Sequence, residues 1–482
     1  MSGAKRIVII GAGPAGICAA IHLRKAGHEN VTLYEKAAGV GGTWWHNRYP
    51  GCACDVQSHL YSFSFATKPD WSRPYAPQPE ILAYFTDVAD RFGVTPLVRF
   101  STAITDAVWN EGTGSWTLTT EHGERVDADV VVSSMGMFNE LNFPAIDGRE
   151  SFKGTSFHSA RWNHEHDLNG ERVAVIGSAA SAVQFLPQIA QQVAQLHVFQ
   201  RSAPWILPKA DTPYTEEQLA SFRADPSLAA KIRADLFANL ERTITFGNET
   251  LRLRAEEAGL RYLETVADPH TRRKLTPTVP FGAHRPLVSN DYYSMYNEPH
   301  VELVTDPITR ITSSGVVTAD GTERTVDTLI YATGFQPTKY LSAINVVGRN
   351  GVRIDEAWNK GAEAYLGITT SGFPNLFMTY GPNTNNGSIL EMIETQVAYI
   401  VRQVDRLVND ALAWIDVKAD AMATYNAALQ ADLDNVEVWN RGGHNYYRAE
   451  SGRIVTQWPH NMTAYRDRTA VDDTEVYETR RA

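Results

Sequence analysis

The sequence predicts an α/β protein made of two similar sheet-forming units, the second inserted into the first. A β-branched strand at 6–10 runs into a glycine triplet and then into a helical segment, and the order strand, small-residue turn and helix recurs from Arg172. Strands that alternate with helices in this way build parallel sheets. A charged, Ala-rich stretch at about 212–275 lies inside the second unit and is predicted as a helical insertion.

The first glycine triplet has the features of a dinucleotide-binding turn. Gly11 allows the sharp turn after the strand, Gly13 lets the backbone approach a pyrophosphate, and Gly16 lets the helix lie close to the strand. The free N–H groups at the helix start would then face the phosphates. Glu35 ends the next strand, where its carboxylate can accept hydrogen bonds from ribose hydroxyls. These residues predict an adenine dinucleotide site, and the alternative is a glycine turn that only packs a strand on a helix.

Composition limits the partners. The 482 residues include 44 Lys and Arg against 55 Asp and Glu, a net charge of −11, and contain no polybasic block. Nucleic acid and anionic membrane are therefore not expected as partners, whereas small molecules are. The N-terminus leads directly into a core strand and no apolar run reaches transmembrane length, so the predicted location is cytoplasmic.

The cysteine pattern argues against a redox dithiol and against a metal site. Cys18 falls inside the first helix, and Cys52 and Cys54 lack the two-residue spacer of a typical redox pair. The histidines between 158 and 166 have no supporting acid or cysteine pattern. We therefore predict no metal and disfavour a disulfide reductase.

The second unit predicts a second dinucleotide site. Strand 172–176 runs into the turn 177–182, in which Ala179 replaces the middle glycine and makes the backbone approach less permissive. Arg201 follows the next strand, where the first unit has Glu35. A guanidinium there can bind a 2′-phosphate that an acid would repel, which favours NADPH over NADH. The alternative for Arg201 is an exposed strand end without a ligand.

Two further segments complete the predicted organisation. The two glycines and two indoles at 41–45 suit a loop, rather than regular structure, that walls a flat cofactor with aromatic rings. The apolar strand that begins at Thr328 leads to Gly334 and is predicted to return the chain to the first sheet. The predicted first domain is therefore 1–145 with 328–482, and the second domain is 150–327.

The linker between the two units carries a specific fingerprint. Phe152, Gly154, His158 and Trp162 have the spacing of the class B flavin monooxygenases, and the chain resembles, within them, the Baeyer-Villiger monooxygenases. The terminal Trp separates that group from the N- and S-oxidising group. The resemblance covers nearly the whole chain and includes Gly41–Gly51, Asp55, Tyr75–Glu80, Arg201, Arg285–Leu287, Ala332–Phe335, Tyr380–Asn385 and Trp458–Pro459.

The resemblance implies FAD in the first domain and NADPH in the second. NADPH would reduce FAD, O2 would add at the flavin 4a-carbon, and the peroxyflavin anion would attack a ketone carbonyl to give an ester or lactone and water. The implied cofactor-binding residues are Gly11, Gly13, Gly16, Glu35, Gly42, Thr43, Trp44, Asn47, Tyr61, Gly177, Ser178, Ser181, Arg201, Ser202, His284, Thr333 and Gly334.

Arg285 and Asp55 are the implied catalytic pair. A guanidinium stays cationic and donates in a fixed fork, so Arg285 would hold the peroxide and the tetrahedral intermediate. Asp55 would orient that guanidinium and compensate its charge. His158 is assigned, with Phe152, Gly154 and Trp162, to a linker that moves the two domains rather than to acid–base chemistry.

The chain departs from the family pattern at three positions. Asn163 stands where the family has Pro or Asp, His284 where it commonly has Lys, and Tyr446 where relatives usually carry Trp. His284 is expected to bind the 2′-phosphate more weakly than Lys would, and Tyr446 is expected to change the shape of the substrate pocket.

Three other functions are alternatives to ketone oxidation. Oxygenation of sulfur or nitrogen on the same fold needs a protonated hydroperoxide, whereas Arg285 favours the anion. A missing dithiol disfavours a pyridine nucleotide-disulfide reductase, and intact Asp55 and Arg285 disfavour a flavin-binding protein without turnover. The expected partners are O2 and a small ketone, with a sulfide as a further option; the oligomeric state is left open.

Overall fold

The structure, a computed structural model, describes residues 4–443 and 445–482. Residues 1–3 of the predicted first domain therefore lie outside the described part. The strands, numbered in chain order, are β1 (Ile7–Ile10), β2 (Val31–Tyr34), β3 (Val98–Arg99), β4 (Ile104–Asn110), β5 (Ser115–Thr120), β6 (Arg125–Ala128), β7 (Val130–Ser133), β8 (Thr155–His158), β9 (Arg172–Ile176), β10 (Gln195–Phe199), β11 (Ile206–Leu207), β12 (Leu287–Val288), β13 (Val301–Val304), β14 (Ile308–Ile311), β15 (Gly315–Thr318), β16 (Glu323–Thr325), β17 (Thr328–Tyr331), β18 (Asn345–Val347), β19 (Leu376–Met378), β20 (Leu412–Val417) and β21 (Tyr477–Arg481).

The helices are numbered in the same way. They are α1 (Pro14–Lys25), α2 (Thr43–His46), α3 (Gln78–Arg91), α4 (Ala180–Ile189), α5 (Glu216–Ala224), α6 (Pro226–Thr243), α7 (Glu249–Leu263), α8 (Pro269–Lys274), α9 (Ile354–Ala357), α10 (Ile389–Asn409), α11 (Ala419–Asp434), α12 (Glu437–Asn440) and α13 (Met462–Ala470). None of these helices is both long enough and apolar enough to cross a membrane.

The first sheet is parallel, with strand order β19-β7-β1-β2-β3. Ile7 of β1 lies between Val31 of β2 and Val130 of β7. All four residues of β1 are buried, which is why an unbroken apolar run forms this central strand. The carboxyl ends of β1, β2 and β7 therefore meet at one edge of the sheet.

The second sheet is also parallel, with strand order β13-β10-β9-β17-β8. The prediction that the strand from Thr328 returns to the first sheet is wrong. This strand, β17, is buried along its length and pairs with β9 on one side and with β8 on the other. An apolar run predicts a buried strand but does not select which parallel sheet it joins. The chain reaches the first sheet later, through β19, and the remaining division into two domains stays a prediction.

The helical insertion consists of α5 to α8. Thr215 and Gln218 form a capping box at the start of α5, and Asn248 caps α7 through the N–H of Leu251. The insertion is fastened to the first unit through Arg233 of α6. Its Nη1 donates to the carbonyl oxygens of His59, Leu60 and Ser62, and its Nη2 pairs with Glu391.

The glycine–indole segment contains regular structure, contrary to the prediction of a loop. Thr43–His46 forms the single turn of α2, because the N–H groups of Trp44 and Trp45 bond to the carbonyls of Gly41 and Gly42. Gly42 has φ of +54°, so it reverses the chain immediately before the turn. The two glycines therefore precede a compact helical turn that carries both indoles.

Candidate active site

A cavity of about 1430 Å³ lies at the carboxyl ends of both parallel sheets. Its wall includes Ile10 and Gly11 at the end of β1, and Ile176 and Gly177 at the end of β9. Ligands of open α/β sheets bind outside the carboxyl ends of the strands. One cavity therefore touches both predicted dinucleotide turns.

The first glycine turn leaves no room for side chains. A Cβ on Gly11, which has φ of +102°, would lie 2.7 Å from the Ser134 carbonyl oxygen, and one on Gly16 would lie 2.0 Å from the Gly11 oxygen. A Cβ on Gly42 would lie 2.9 Å from the Cα of Gly13, so two bare backbones meet at the cavity wall. This cradle fits a group that must approach the backbone closely, as a pyrophosphate does.

Glu35 is buried beside this cradle. Its Oε2 accepts from the Ala12 N–H at 2.7 Å, and its Oε1 accepts from the Ala37 N–H at 2.8 Å. Each carboxylate oxygen has a further lone pair, so the group can also accept from ribose hydroxyls. The residues of the first turn thus fit the adenosine half of a dinucleotide.

The second turn repeats the close approach. Gly177 has φ of +109°, and a Cβ there would lie 2.3 Å from the Ala332 carbonyl oxygen. Helix α4 starts three residues later, and Ser178 and Ser181 line the cavity. Arg201 and Ser202 also line it, and Arg201 is exposed. Ala179 does not prevent the turn from reaching the cavity wall.

An aromatic wall follows the first turn. Trp44 donates through Nε1 to the Tyr61 hydroxyl at 3.1 Å, with the two rings edge to face. The side-chain amide of Asn47 donates to the Thr43 carbonyl at 2.9 Å and so stabilises the end of α2. The predicted residues Gly42, Thr43, Trp44, Asn47 and Tyr61 all lie in the cavity wall.

Arg285 and Asp55 form a forked ion pair in the same wall. Nε of Arg285 donates to Asp55 Oδ2 at 3.0 Å, and Nη2 donates to Oδ1 and Oδ2 at 2.8 and 2.6 Å. The Asp55 carboxylate raises the pKa of Arg285 well above its ordinary value, so the guanidinium stays cationic. The Arg285 side chain is 38% exposed and that of Asp55 is 26% exposed, so both can be reached from the cavity.

His284 and Tyr446 lie next to this pair. His284 Nε2 is 2.6 Å from the Gly442 carbonyl oxygen, to which it donates. Tyr446 packs against Phe138, with ring centroids 6.1 Å apart, and both rings line the cavity. Thr333 and Gly334, at the end of β17, line it as well. The imidazole of His284 is thus bonded to the segment that leads to Tyr446.

The linker residues lie outside the cavity wall. His158 is buried, its Nδ1 accepts from the Ala160 N–H at 3.1 Å, and burial lowers its pKa to about 4. A Cβ on Gly154 would lie 2.2 Å from the Asp327 carbonyl oxygen, so only glycine fits there. Trp162 packs on Phe185 of α4 at 5.1 Å, and Phe152 packs at the core of the second unit. Their conformational role stays a prediction.

The thiols near the site are inert. Cys52 and Cys54 are free and buried, and burial raises the pKa of Cys52 to about 12 and that of Cys54 further. Thiols held protonated are poor nucleophiles for disulfide exchange. In the described residues, no group of three or more His, Cys, Asp or Glu side chains is arranged to hold a metal ion.

Gln184 also lines the cavity, and no sequence motif had singled it out. Its side chain bonds to Ala53 and Tyr49 of the first unit. The available signal is its position on α4, three residues after Ser181 and so on the same helix face.

Comparison with known proteins shows the family. A Baeyer-Villiger monooxygenase of Pseudomonas aeruginosa is 40% identical over 480 residues, which are 98% of this chain and 91% of that protein. A Baeyer-Villiger monooxygenase of Streptomyces coelicolor is 38% identical, over 99% of this chain and 93% of that protein. The chain belongs to the Baeyer-Villiger monooxygenase family.

A solved structure leads to the same family. The structure of cyclohexanone monooxygenase from Rhodococcus sp. Phi1 bound to NADP+ superposes with a TM-score of 0.88 at 32% identity and covers 99% of both chains. A family model described as pyridine nucleotide-disulphide oxidoreductase matches residues 8–242. That match covers the two glycine turns and ends within the insertion, whereas the Baeyer-Villiger relatives match nearly the whole chain.

Family membership confirms three predictions from the sequence. They are the resemblance to Baeyer-Villiger monooxygenases, the α/β fold with two dinucleotide-binding domains, and the enzyme class, an NADPH-dependent flavin monooxygenase. The roles of the individual site residues stay predictions.

Proposed function

We propose that the protein is an FAD- and NADPH-dependent Baeyer-Villiger monooxygenase that inserts one atom of O2 next to a ketone carbonyl and releases an ester or lactone. The observation that carries this proposal is the Arg285–Asp55 fork, which lies in the wall of the cavity that both glycine turns reach. A cation held at that point suits a reaction in which negative charge develops on oxygen.

The two cofactors are assigned to the two turns. The bare backbones of Gly11, Gly13 and Gly42 would hold the pyrophosphate of FAD, and Glu35 its ribose. The turn after Gly177 would hold NADPH. Bound FAD, once reduced by NADPH, supplies the activated oxygen that the substrate receives.

Arg285 supplies the charge stabilisation. Asp55 occupies the Nε and Nη2 side of the guanidinium. In the described part of the chain, Nη1 donates to no protein atom, so its N–H groups are available to an oxygen anion in the cavity. Because Asp55 fixes the fork in advance, little reorganisation is needed when the charge forms.

The pocket near Arg285 is expected to favour an apolar ketone. Leu287, Phe138 and Tyr446 line the cavity on this side. Burial raises the pKa of Tyr380, and its hydroxyl donates to Asn385 at 2.8 Å, so it contributes no charge. A substrate carbonyl would therefore find Arg285 as its charged partner.

Product identification in ¹⁸O2 tests the proposal. NADPH oxidation would be followed by absorbance with a panel of cyclic and linear ketones and of sulfides, and products identified by mass. We expect an ester or lactone that carries one ¹⁸O atom. Sulfoxide without ester, or NADPH consumption that yields only hydrogen peroxide with every ketone, would contradict it.

A further inference from the structure

The short segment that leads to Asp55 is hydrogen-bonded along both edges. On one edge, the Cys54 N–H donates to the Ala76 carbonyl at 3.3 Å, and the Cys52 carbonyl accepts from the Gln78 N–H at 2.8 Å. In an extended chain the N–H and C=O of the intervening residue, Ala53, point to the opposite edge. No strand lies on that edge in the described residues.

The side chain of Gln184 replaces the missing strand. Its Oε1 accepts from the Ala53 N–H at 3.3 Å, and its Nε2 donates to the Ala53 carbonyl at 3.0 Å. A carboxamide carries the same donor and acceptor as a peptide group, so it can pair with a backbone residue on both atoms. Oε1 also accepts from the Tyr49 hydroxyl at 3.0 Å.

Gln184 belongs to the other unit of the protein. It projects from α4, the helix that starts at the second dinucleotide turn, one turn beyond Ser181. The next residue, Phe185, packs against Trp162 of the linker at 5.1 Å and against Tyr49 at 6.0 Å. Gln184 and Arg285 therefore reach the same three residues, 53–55, from the second unit.

We propose that Gln184 is a positioning residue. It holds residues 53–55 so that the Asp55 carboxylate stays aligned with the Arg285 guanidinium, and it links that alignment to α4, the helix that starts at the proposed NADPH site. The inference rests on the proposed function and adds a residue to it. Without the carboxamide, Ala53 would lose both partners on one edge, and Asp55, two residues later, would no longer hold the guanidinium in one orientation. Displacements of about 1 Å near the chemistry cost up to about a hundredfold in rate.

Loss of Gln184 should therefore separate NADPH oxidation from oxygen transfer. In the coupled reaction NADPH, a proton, O2 and ketone give NADP+, water and ester. In the uncoupled reaction NADPH, a proton and O2 give NADP+ and hydrogen peroxide. A misaligned Arg285 favours the second, so Gln184→Met should lower the ester formed per NADPH by about fivefold or more, with hydrogen peroxide making up the balance.

Two variants on one helix provide the comparison. Met in place of Gln184 keeps the length of the side chain and removes its hydrogen bonds. Gln188→Met makes the same change one turn later, at an exposed glutamine with no side-chain hydrogen bond in the described residues. Both variants should bind FAD and be reduced by NADPH at a rate within about twofold of wild type, and Gln188→Met should stay coupled.

A pH profile of Gln184→Glu distinguishes positioning from a purely structural role. A protonated carboxyl mimics the carboxamide, whereas a carboxylate would repel the Ala53 carbonyl and Asp55. The other groups near this point are Tyr49 and Cys52, whose pKa values burial raises, and Arg285, which stays cationic. Half-burial should raise the pKa of the introduced carboxyl, so that it becomes protonated as the pH falls from about 8 to about 6. The ester yield of Gln184→Glu, relative to that of Gln188→Glu, should therefore rise over the same range.

Amide exchange gives a readout that does not depend on activity. Peptides that contain residues 52–56 should exchange faster in Gln184→Met than in wild type or Gln188→Met. Any of three results would overturn the role of Gln184. They are unchanged amide exchange in these peptides, a wild-type ester yield in Gln184→Met, and an ester yield of Gln184→Glu relative to Gln188→Glu that does not change with pH. A wild-type protein that forms no ester from any ketone would instead overturn the proposed function, and the exchange experiment would still decide whether Gln184 holds the segment.

Discussion

Arg285 and Asp55 are separated by 230 residues and join the two units of the protein through three hydrogen bonds of 2.6 to 3.0 Å. Asp55 follows the first glycine turn, whereas Arg285 precedes β12, which pairs with β11 of the second unit. A shift of one unit against the other would therefore alter the pair directly. The position of the cation depends on the contact between the units as much as on either unit alone.

The glycine cradle predicts a steric requirement for FAD. Gly11→Ala should yield folded but colourless protein, because its Cβ would lie 2.7 Å from the Ser134 carbonyl oxygen at the phosphate-binding turn. Gly27→Ala is the matched control: Gly27 also has positive φ, +94°, but has no atom within 4 Å of the added Cβ. It should lose only about 1 to 3 kcal/mol of stability to backbone strain and keep its flavin. Flavin absorbance per protein and circular dichroism measure both, and a fully yellow Gly11→Ala protein would contradict the assignment.

Arg201 is predicted to select the coenzyme. Removal of its guanidinium in Arg201→Ala should raise the Michaelis constant for NADPH about tenfold or more, since a hydrogen bond to a charged group contributes about 1.5 to 3 kcal/mol. The constant for NADH should barely change. Arg310→Ala, at an exposed site outside the cavity wall, serves as the control. Equal losses with both coenzymes would mean that Arg201 supports the fold rather than the 2′-phosphate.

Burial of His158 predicts a dependence of stability on pH. Its pKa is about 4 in the folded protein and about 6.5 when unfolded, so protons bind the unfolded chain more readily. The stabilisation is complete above pH of about 6.5 and is lost as the pH falls towards 4, by about 3 kcal/mol at most. His158→Gln should therefore flatten the fall in urea midpoint over this range. The exposed His270→Gln variant should not, and an unchanged slope in His158→Gln would contradict the burial argument.

The sequence predicted the two dinucleotide-binding turns, because each turn depends on residues that are close together in the chain. Gly11, Gly177 and Glu35 lie at strand ends, where short-range steric and hydrogen-bonding needs identify them. Thr328–Tyr331 was assigned to the wrong sheet because apolar composition reports burial and not the neighbouring strand.

The candidate site shows the same limit. The family resemblance named Asp55 and Arg285 as a pair, but no local pattern places residues this far apart in contact; the structure brings them together. Gln184 was missed because a single glutamine on a helix gives no pattern, and its partner, Ala53, takes part through the backbone alone. Contacts of that kind depend on how the units dock.

The most direct test of the account is to separate flavin reduction from oxygen transfer in Arg285→Ala. The oxidised variant would be mixed with NADPH without oxygen, and the reduced form then mixed with oxygenated buffer and ketone in a stopped-flow instrument. Arg172→Ala is the control, because it removes a similar fork, to Asp327, at an exposed site outside the cavity wall. We predict that Arg285→Ala binds FAD and is reduced by NADPH, forms ester about a hundredfold more slowly or not at all, and releases hydrogen peroxide. Ester formation at near the wild-type yield would contradict the role of Arg285 and the preference for carbonyl attack.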